Sequence, residues 1–252
     1  MTRVSEHASV VLAANPTIMT LEGTNTWVLR APGSPTSIVV DPGPADAAHL
    51  DAVLAEAGEV ALVLYTHHHA DHTEAIDRMV ELTGAPARAV DAAFCRDAAP
   101  VTDGEVIDLA GVRLRVVLTP GHTMDSTCLL LESEGSLLSG DTILGRGTTV
   151  VAWPDGALGP YLDSLAIIRG LITDGLVDRI LPGHGPVIDE PGAVVDFYLA
   201  HRAERLEAVR RAVEAGATTA REVVEIVYAD VDPVLWAPAE LSVEAQLAHL
   251  RS

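Results

Sequence analysis

Thr66-His67-His68-His69-Ala70-Asp71-His72 follows directly on the apolar run Val60 to Tyr65, and no other stretch narrows the possible folds as much. A continuous apolar run of that length suits a strand buried on both faces. In the extended segment that leaves it, side chains alternate, so His67 and His69 point the same way and His68 points away. Asp71 and His72 then open a helix, where the turning chain aims both back toward the same point. Two imidazoles, a carboxylate and a third imidazole therefore converge from one short segment. These are the borderline ligands that suit Zn²⁺.

Three more segments have the same form, a ligand type set just past a strand. They are Leu118-Thr119-Pro120-Gly121-His122-Thr123, Leu137-Leu138-Ser139-Gly140-Asp141 and Ile180-Leu181-Pro182-Gly183-His184-Gly185. Alone, each reads as a turn histidine or an Asx turn. In this order behind the first segment, they extend the candidate ligand set to His122, Asp141 and His184.

Around these segments short strands alternate with helices. Thr26 to Leu29 and Ser37 to Val40 are β-rich runs parted by the turn formers Ala31-Pro32-Gly33-Ser34-Pro35. Apolar spacing predicts helices over Ala45 to Ala57, about Asp71 to Leu82 and Tyr161 to Ile172. Val112 to Leu118 and Val177 to Leu181 read as strands, and Thr127 to Leu131 with Ser136 to Leu138 as a hairpin. The pattern recurs on both sides of about residue 110. It predicts two β-then-α halves packed sheet to sheet with helices outside, an α/β four-layer αββα sandwich. Past Pro191, helical patterns cover Val194 to Ala215, Thr218 to Tyr228 and Ser242 to Leu250. The predicted division is a main domain over 1–192 and a small helical module over 193–252, too short for a core of its own.

Charge bears on the partners. The formal net charge is −20, from 36 acidic against 16 basic residues, and every basic one is Arg. An acidic surface argues against broad binding to nucleic acid, although bound cations would make a local anion site. Cys95 and Cys128 read as free thiols of a reducing compartment. No signal peptide follows from the Val10-Val11-Leu12 start, and no apolar stretch approaches the roughly 20 residues needed to span a bilayer. A cytoplasmic protein without membrane contact is expected.

The set His67-x-His69-x-Asp71-His72, His122, Asp141 and His184 resembles the metallo-β-lactamase superfamily over about residues 10–190. The resemblance implies that family's fold and a hydrolase holding two divalent ions, zinc first and manganese in its place. It puts His67, His69 and His122 on one ion and Asp71, His72 and His184 on the other, with Asp141 bridging. It makes Asp71 and Asp141 the catalytic carboxylates, Asp71 passing a proton to the leaving group, and Asp41 the aspartate that holds a ligand histidine from behind. Pro42-Gly43 stands where a Thr-Gly is commoner, and Thr73-Glu74-Ala75 where many relatives have two glycines, with Glu74 adding negative charge at the rim. A class B1 lactamase has a cysteine in place of Asp141, and flavodiiron oxidoreductases a glutamate in place of His69. The full histidine set with a bridging aspartate resembles hydrolases of thioesters and phosphodiesters.

Thr20 to Thr26, Gly140 to Val150, Leu181 to Ile188 and the helix with His201, Arg202 and Arg205 resemble a narrower group, the beta-lactamase-like protein 2 endoribonucleases. This implies single-stranded RNA as substrate. Gly147-Thr148-Thr149 then supplies donors to a substrate oxygen, or is merely a tight turn. Arg202 and Arg205, three apart on one helix face, contact phosphate, or pair in solvent with Glu204 and Glu207. The appended helices match that group's winged-helix module. The chain ends at Leu250-Arg251-Ser252, where a wing hairpin would follow, so the predicted module is winged-helix-like without the wing. With few basic residues past Arg211, duplex DNA is not an expected partner, and packing, homodimerisation or lid duty is. The competing readings are a thioester or lactone hydrolase resembling hydroxyacylglutathione hydrolase, and a metal-binding relative without turnover.

Overall fold

The computed structural model describes residues 1–230 and 232–251. Its first half is a six-stranded sheet of β1 (Thr2–Arg3), β2 (Ala8–Leu12), β3 (Asn25–Leu29), β4 (Thr36–Val40), β5 (Glu59–Leu64) and β6 (Ala87–Arg88), in that spatial order. β1 to β4 pair antiparallel, whereas β4, β5 and β6 run parallel. Between them lie α1 (Ala47–Ala57), α2 (Ala70–Thr73) and α3 (Ile76–Thr83). The second sheet holds β7 (Val106–Leu109), β8 (Val112–Leu118), β9 (Thr127–Leu131), β10 (Ser136–Gly140) and β11 (Arg179–Pro182), with α4 (Leu158–Thr173) crossing between the last two. The four-layer αββα sandwich expected from the sequence is the fold.

Strand alternation explains how apolar runs fill three layers. Trp27, Leu29, Ile38, Val40, Leu62 and Leu64 face Leu114, Val116, Leu129, Leu131, Leu138 and Leu181 between the sheets. Their neighbours Val28, Val39 and Val63 point outward to Leu50, Val53 and Ala57 of α1 and Met79 of α3. On the far side Cys128, Leu130, Leu137 and Ile180 meet Tyr161, Leu165 and Ile168 of α4. Both faces of each sheet are covered, so the strands read as continuous apolar runs. Truncating a fully buried residue such as Leu129 to Ala would cost about 2–5 kcal/mol.

The helix expected from Asp71 to Leu82 is broken. α2 stops after one turn and α3 begins past Ala75. Thr73 Oγ1 donates to the carbonyls of His68 and His69, tying α2 back onto the histidine loop. Glu74 accepts from Ala45 N–H at 3.1 Å. α1 starts behind Asp46, whose carboxylate caps His49 N–H at 2.8 Å.

Three helices close the chain: α5 (Pro191–Glu214), α6 (Ala220–Val227), opened by a Thr219/Glu222 capping box, and α7 (Trp236–Arg251). They do share a small core, with Val209 and Ala212 of α5, Val223 and Val224 of α6, and Val243 and Leu247 of α7. It anchors to the body because α5 runs through both parts and Ala245 of α7 enters the cluster beneath α4. No described helix is long and apolar enough to cross a membrane.

Candidate metal centre

Every candidate ligand lies past the C-terminal end of a strand: the Thr66–His72 loop past β5, His122 past β8, Asp141 past β10 and His184 past β11. Two backbone bonds lock the sheets together there, from Thr127 N–H to the Thr66 carbonyl at 2.9 Å and from Asn25 N–H to the Gly183 carbonyl at 2.8 Å. Two glycines let the loops close. Gly140 has φ +47°, and a side chain on it would strike Thr66. A Cβ on Gly183 would sit 2.5 Å from Asp141 Oδ1 and 2.9 Å from His72 Cε1.

The seven expected ligand groups come together in overlapping triplets whose donor atoms lie within 4.8 Å of one another. His67 Nε2, His69 Nδ1 and His122 Nε2 form one, with separations of 3.1 and 3.2 Å to His69. Asp71, His72 and His184 form another, with the two Nε2 atoms 3.3 Å apart and Asp71 Oδ2 3.1 Å from His184. Asp141 stands between them, Oδ1 3.5 Å from His72 Nε2 and Oδ2 3.8 Å from His122 Nε2. Asp141 Oδ1 is buried and makes no hydrogen bond among the described residues.

The outward nitrogens decide what the inward ones can do. His67 Nδ1 faces Thr66 Oγ1, which itself donates to Asp41 Oδ2 at 2.7 Å. His72 Nδ1 lies 2.9 Å from Asp41 Oδ2, His122 Nδ1 2.8 Å from the Val150 carbonyl, and His184 Nδ1 3.1 Å from the Gly23 carbonyl. His69 Nε2 lies 3.2 Å from Asp155 Oδ2. Each acceptor calls for the proton on the outer nitrogen, so each ring, when neutral, turns its lone pair inward. Such a cluster is repulsive until a cation sits inside it, and the imidazole–carboxylate set fits a divalent one.

Electrostatics point the same way. Burial, helped by the His72 charge, pushes the His67 imidazole well below its ordinary range, and burial lowers His122 too. Burial opposes charge on His72, yet the Asp41 and Asp141 carboxylates hold it well above the usual value. His184, also against burial, is raised to about 9 by Asp141 and Asp71. Both aspartates stay ionised despite burial because those imidazoles face them. Protons on His72 and His184 thus stand in for cation charge, and a metal ion would displace them.

His68 lies 2.7 Å from Asp125 Oδ1 and, with His69, reaches Asp155, its Nε2 3.4 Å from Asp155 Oδ2. Asp41 lies behind the histidine loop, its Oδ1 accepting Thr66 N–H at 2.8 Å. Thr149 is turned inward, its hydroxyl donating to the Asp141 carbonyl at 2.6 Å, while Thr148 lines a neighbouring cavity. Arg202 is 6% exposed, its guanidinium 5.1 Å from the Tyr161 ring and bonded to the Thr149 carbonyl, so little of it meets open solvent. Arg205 stacks over Tyr228 at 5.3 Å, and Glu207 pairs with Arg210 instead. Sequence reasoning missed Asp155 and Thr66. Thr66 was within reach, since the residue leading into a histidine loop can hold the first imidazole.

The comparisons agree with this geometry. The model of the metallo-beta-lactamase superfamily matches residues 19–184, and that of the beta-lactamase associated winged helix domain matches residues 219–252. A beta-lactamase-like protein 2 homolog of Drosophila melanogaster is 36% identical, over 99% of this chain and 89% of its own. An atrochrysone carboxyl ACP thioesterase of Aspergillus chevalieri is 31% identical, over 91% of this chain and 75% of its own. A metallo-beta-lactamase family protein from Thermus thermophilus superposes with a TM-score of 0.74 at 25% identity, covering 97% of this chain and 93% of its own. On its fold, its convergent histidines and aspartates and these matches, the chain belongs to the metallo-beta-lactamase superfamily.

Proposed function

We propose that the protein is a dinuclear metal hydrolase, zinc being the ion that best suits its donors, and that it cleaves the thioester or ester of a small acyl group. His67, His69 and His122 would hold one ion and Asp71, His72 and His184 the other, with the Asp141 carboxylate within reach of both groups. When bound, the ions acidify a water and polarise the scissile carbonyl. Asp41 keeps the His72 proton on the outer nitrogen directly and that of His67 through Thr66. Of the three carboxylates at the centre, Asp71 has the most exposed side chain, at 27% against 11% for Asp141 and 2% for Asp41. Being ionised, it has no proton of its own, and it would pass to the departing thiolate the one it takes from the attacking water.

The placement of Arg202 carries the choice of substrate class. A nuclease needs cations turned toward a phosphate chain. Here Arg202 is buried, Arg205 lies on an aromatic ring, and the formal net charge is −20. A thioesterase among the relatives supports the same reading. Cleavage of single-stranded RNA is the second reading, favoured by the nearly full-length match to a beta-lactamase-like protein 2 homolog.

A matched assay decides between them. Metal-quantified protein is given acyl N-acetylcysteamine thioesters and a fluorophore–quencher RNA, beside an Asp141→Ala control. Thioester turnover lost in the control is expected. RNA cleavage lost in the control, with thioesters untouched, would overturn the acyl reading in favour of the nuclease.

A further inference from the structure

A cavity of about 340 Å³ opens where the C-terminal helices meet the body, within the roughly 300–1,000 Å³ range of small-molecule sites. Its apolar walls include Ile18, Met19 and Leu235, large side chains that stay 61%, 46% and 38% exposed. Two of its walls continue into the metal centre. On one, Thr149 Oγ1 donates to the Asp141 carbonyl and the Val150 carbonyl holds His122 Nδ1. On the other, a few residues past Met19, the Gly23 carbonyl holds His184 Nδ1 and Thr24 Oγ1 lies 3.4 Å from Asp71 Oδ2. A molecule filling the cavity therefore lies against the loops that position the ligands.

The polar part of the lining is incomplete. Arg202 is 6% exposed and held by Tyr161 and the Thr149 carbonyl, yet its Nε–H is buried with no acceptor among the described residues. His201 Nδ1, in the same lining, is likewise buried and unpaired. Arg205 adds a second guanidinium there, in a chain whose net charge is −20. A buried guanidinium N–H without an acceptor is costly, and a ligand oxygen would satisfy it.

We propose that this cavity binds the acyl part of the substrate, an apolar chain or ring that bears an additional oxygen acceptor. The apolar portion lies on Ile18, Met19 and Leu235, and the oxygen takes the Arg202 Nε–H. The inference deepens the acyl-hydrolase reading, which it needs for the placement of the scissile bond but not for binding itself.

Calorimetric titration of the metal-loaded protein with decanoate and decanol tests it. Saturable binding is expected, with decanoate the tighter ligand. Ile18→Asp, on an exposed loop, and Ala239→Trp, which fills the cavity, should each weaken decanoate by about tenfold or more. Arg202→Lys keeps the charge but lacks the Nε–H, and should reduce the preference for decanoate over decanol about tenfold. That ratio is insensitive to a uniform loss of folded protein. Equal affinity in wild type and both cavity variants would overturn the proposal. Loss of decanoate binding in the variants, in a protein that hydrolyses no thioester, would instead sink the acyl-hydrolase reading and leave the site standing.

Discussion

Exchanging Asp41 for Asn replaces one carboxylate oxygen by an NH2 group and should weaken metal binding at Asp71, His72 and His184. Asp41 Oδ1 accepts Thr66 N–H at 2.8 Å, and Oδ2 accepts Thr66 Oγ1 at 2.7 Å and His72 Nδ1 at 2.9 Å. An amide group toward Thr66 N–H would set two donors against each other, and the backbone cannot yield. The amide must therefore take the Oδ2 position. There the Thr66 hydroxyl can rotate, but His72 must give up its Nδ1 proton and carry it on Nε2. That atom faces Asp71, Asp141 and His184, and a protonated nitrogen cannot ligate. Loss of such a supporting partner typically weakens metal binding by about 10–100-fold, equivalent to about 1.4–2.7 kcal/mol. Losing the charged acceptor also removes about 1.5–3 kcal/mol of fold stability. Chelator competition with ion counting is the assay. Binding at Asp71, His72 and His184 should weaken most, and binding at His67, His69 and His122 less, because Asp41 reaches His67 only through Thr66. Two ions bound as tightly as in the wild type would refute the tautomer argument.

Gly183→Ala places a methyl 2.5 Å from Asp141 Oδ1, so we expect lost metal binding with an unchanged far-UV circular dichroism spectrum; full occupancy would contradict the geometry. Zinc at about 100 times its dissociation constant should add about 2.7 kcal/mol, raising Tm by roughly 5–10 °C for a chain of this size. A melt indifferent to zinc and chelator would rule out a metal centre. Burial lowers the His49 pKa from 6.5, so the folded chain keeps it neutral while the unfolded chain binds a proton below that value. Its contribution to stability is therefore full above pH 6.5 and falls away as the pH drops toward the folded value. The urea midpoint should change less between about pH 5.5 and about pH 7.5 in His49→Gln than in the wild type; an equal change would refute it.

What the sequence disclosed was local. The Val60 to Tyr65 run and the histidines behind it lie in one segment, so alternation alone places His67 and His69 together and His68 apart. The αββα layering followed from strands apolar on both faces, such as Trp27, Val28 and Leu29. The two-residue strands Thr2–Arg3 and Ala87–Arg88 are too short to show any periodicity. Asp155 was invisible because it lies 86 residues from His69 in the chain. Arg202 and Arg205 show the sharper limit. Their spacing correctly puts them on one face of α5, and both line one cavity. Periodicity names a face without naming what covers it, and here Tyr161 and Tyr228 do.

The two substrate readings also differ in how far the chain's charge can reach. At physiological ionic strength the screening length is about 8 Å. A small acyl group seated at the centre meets mainly the ions and the imidazoles around it. An RNA strand extends many times that distance across a surface carrying net −20, against which each added phosphate is repelled. Raising the salt should therefore speed RNA cleavage, if it occurs at all, by screening that repulsion. Thioester turnover should hardly respond. RNA cleavage that instead falls steeply with salt would reveal a cationic track along the protein, and the argument from buried Arg202 would fail with it.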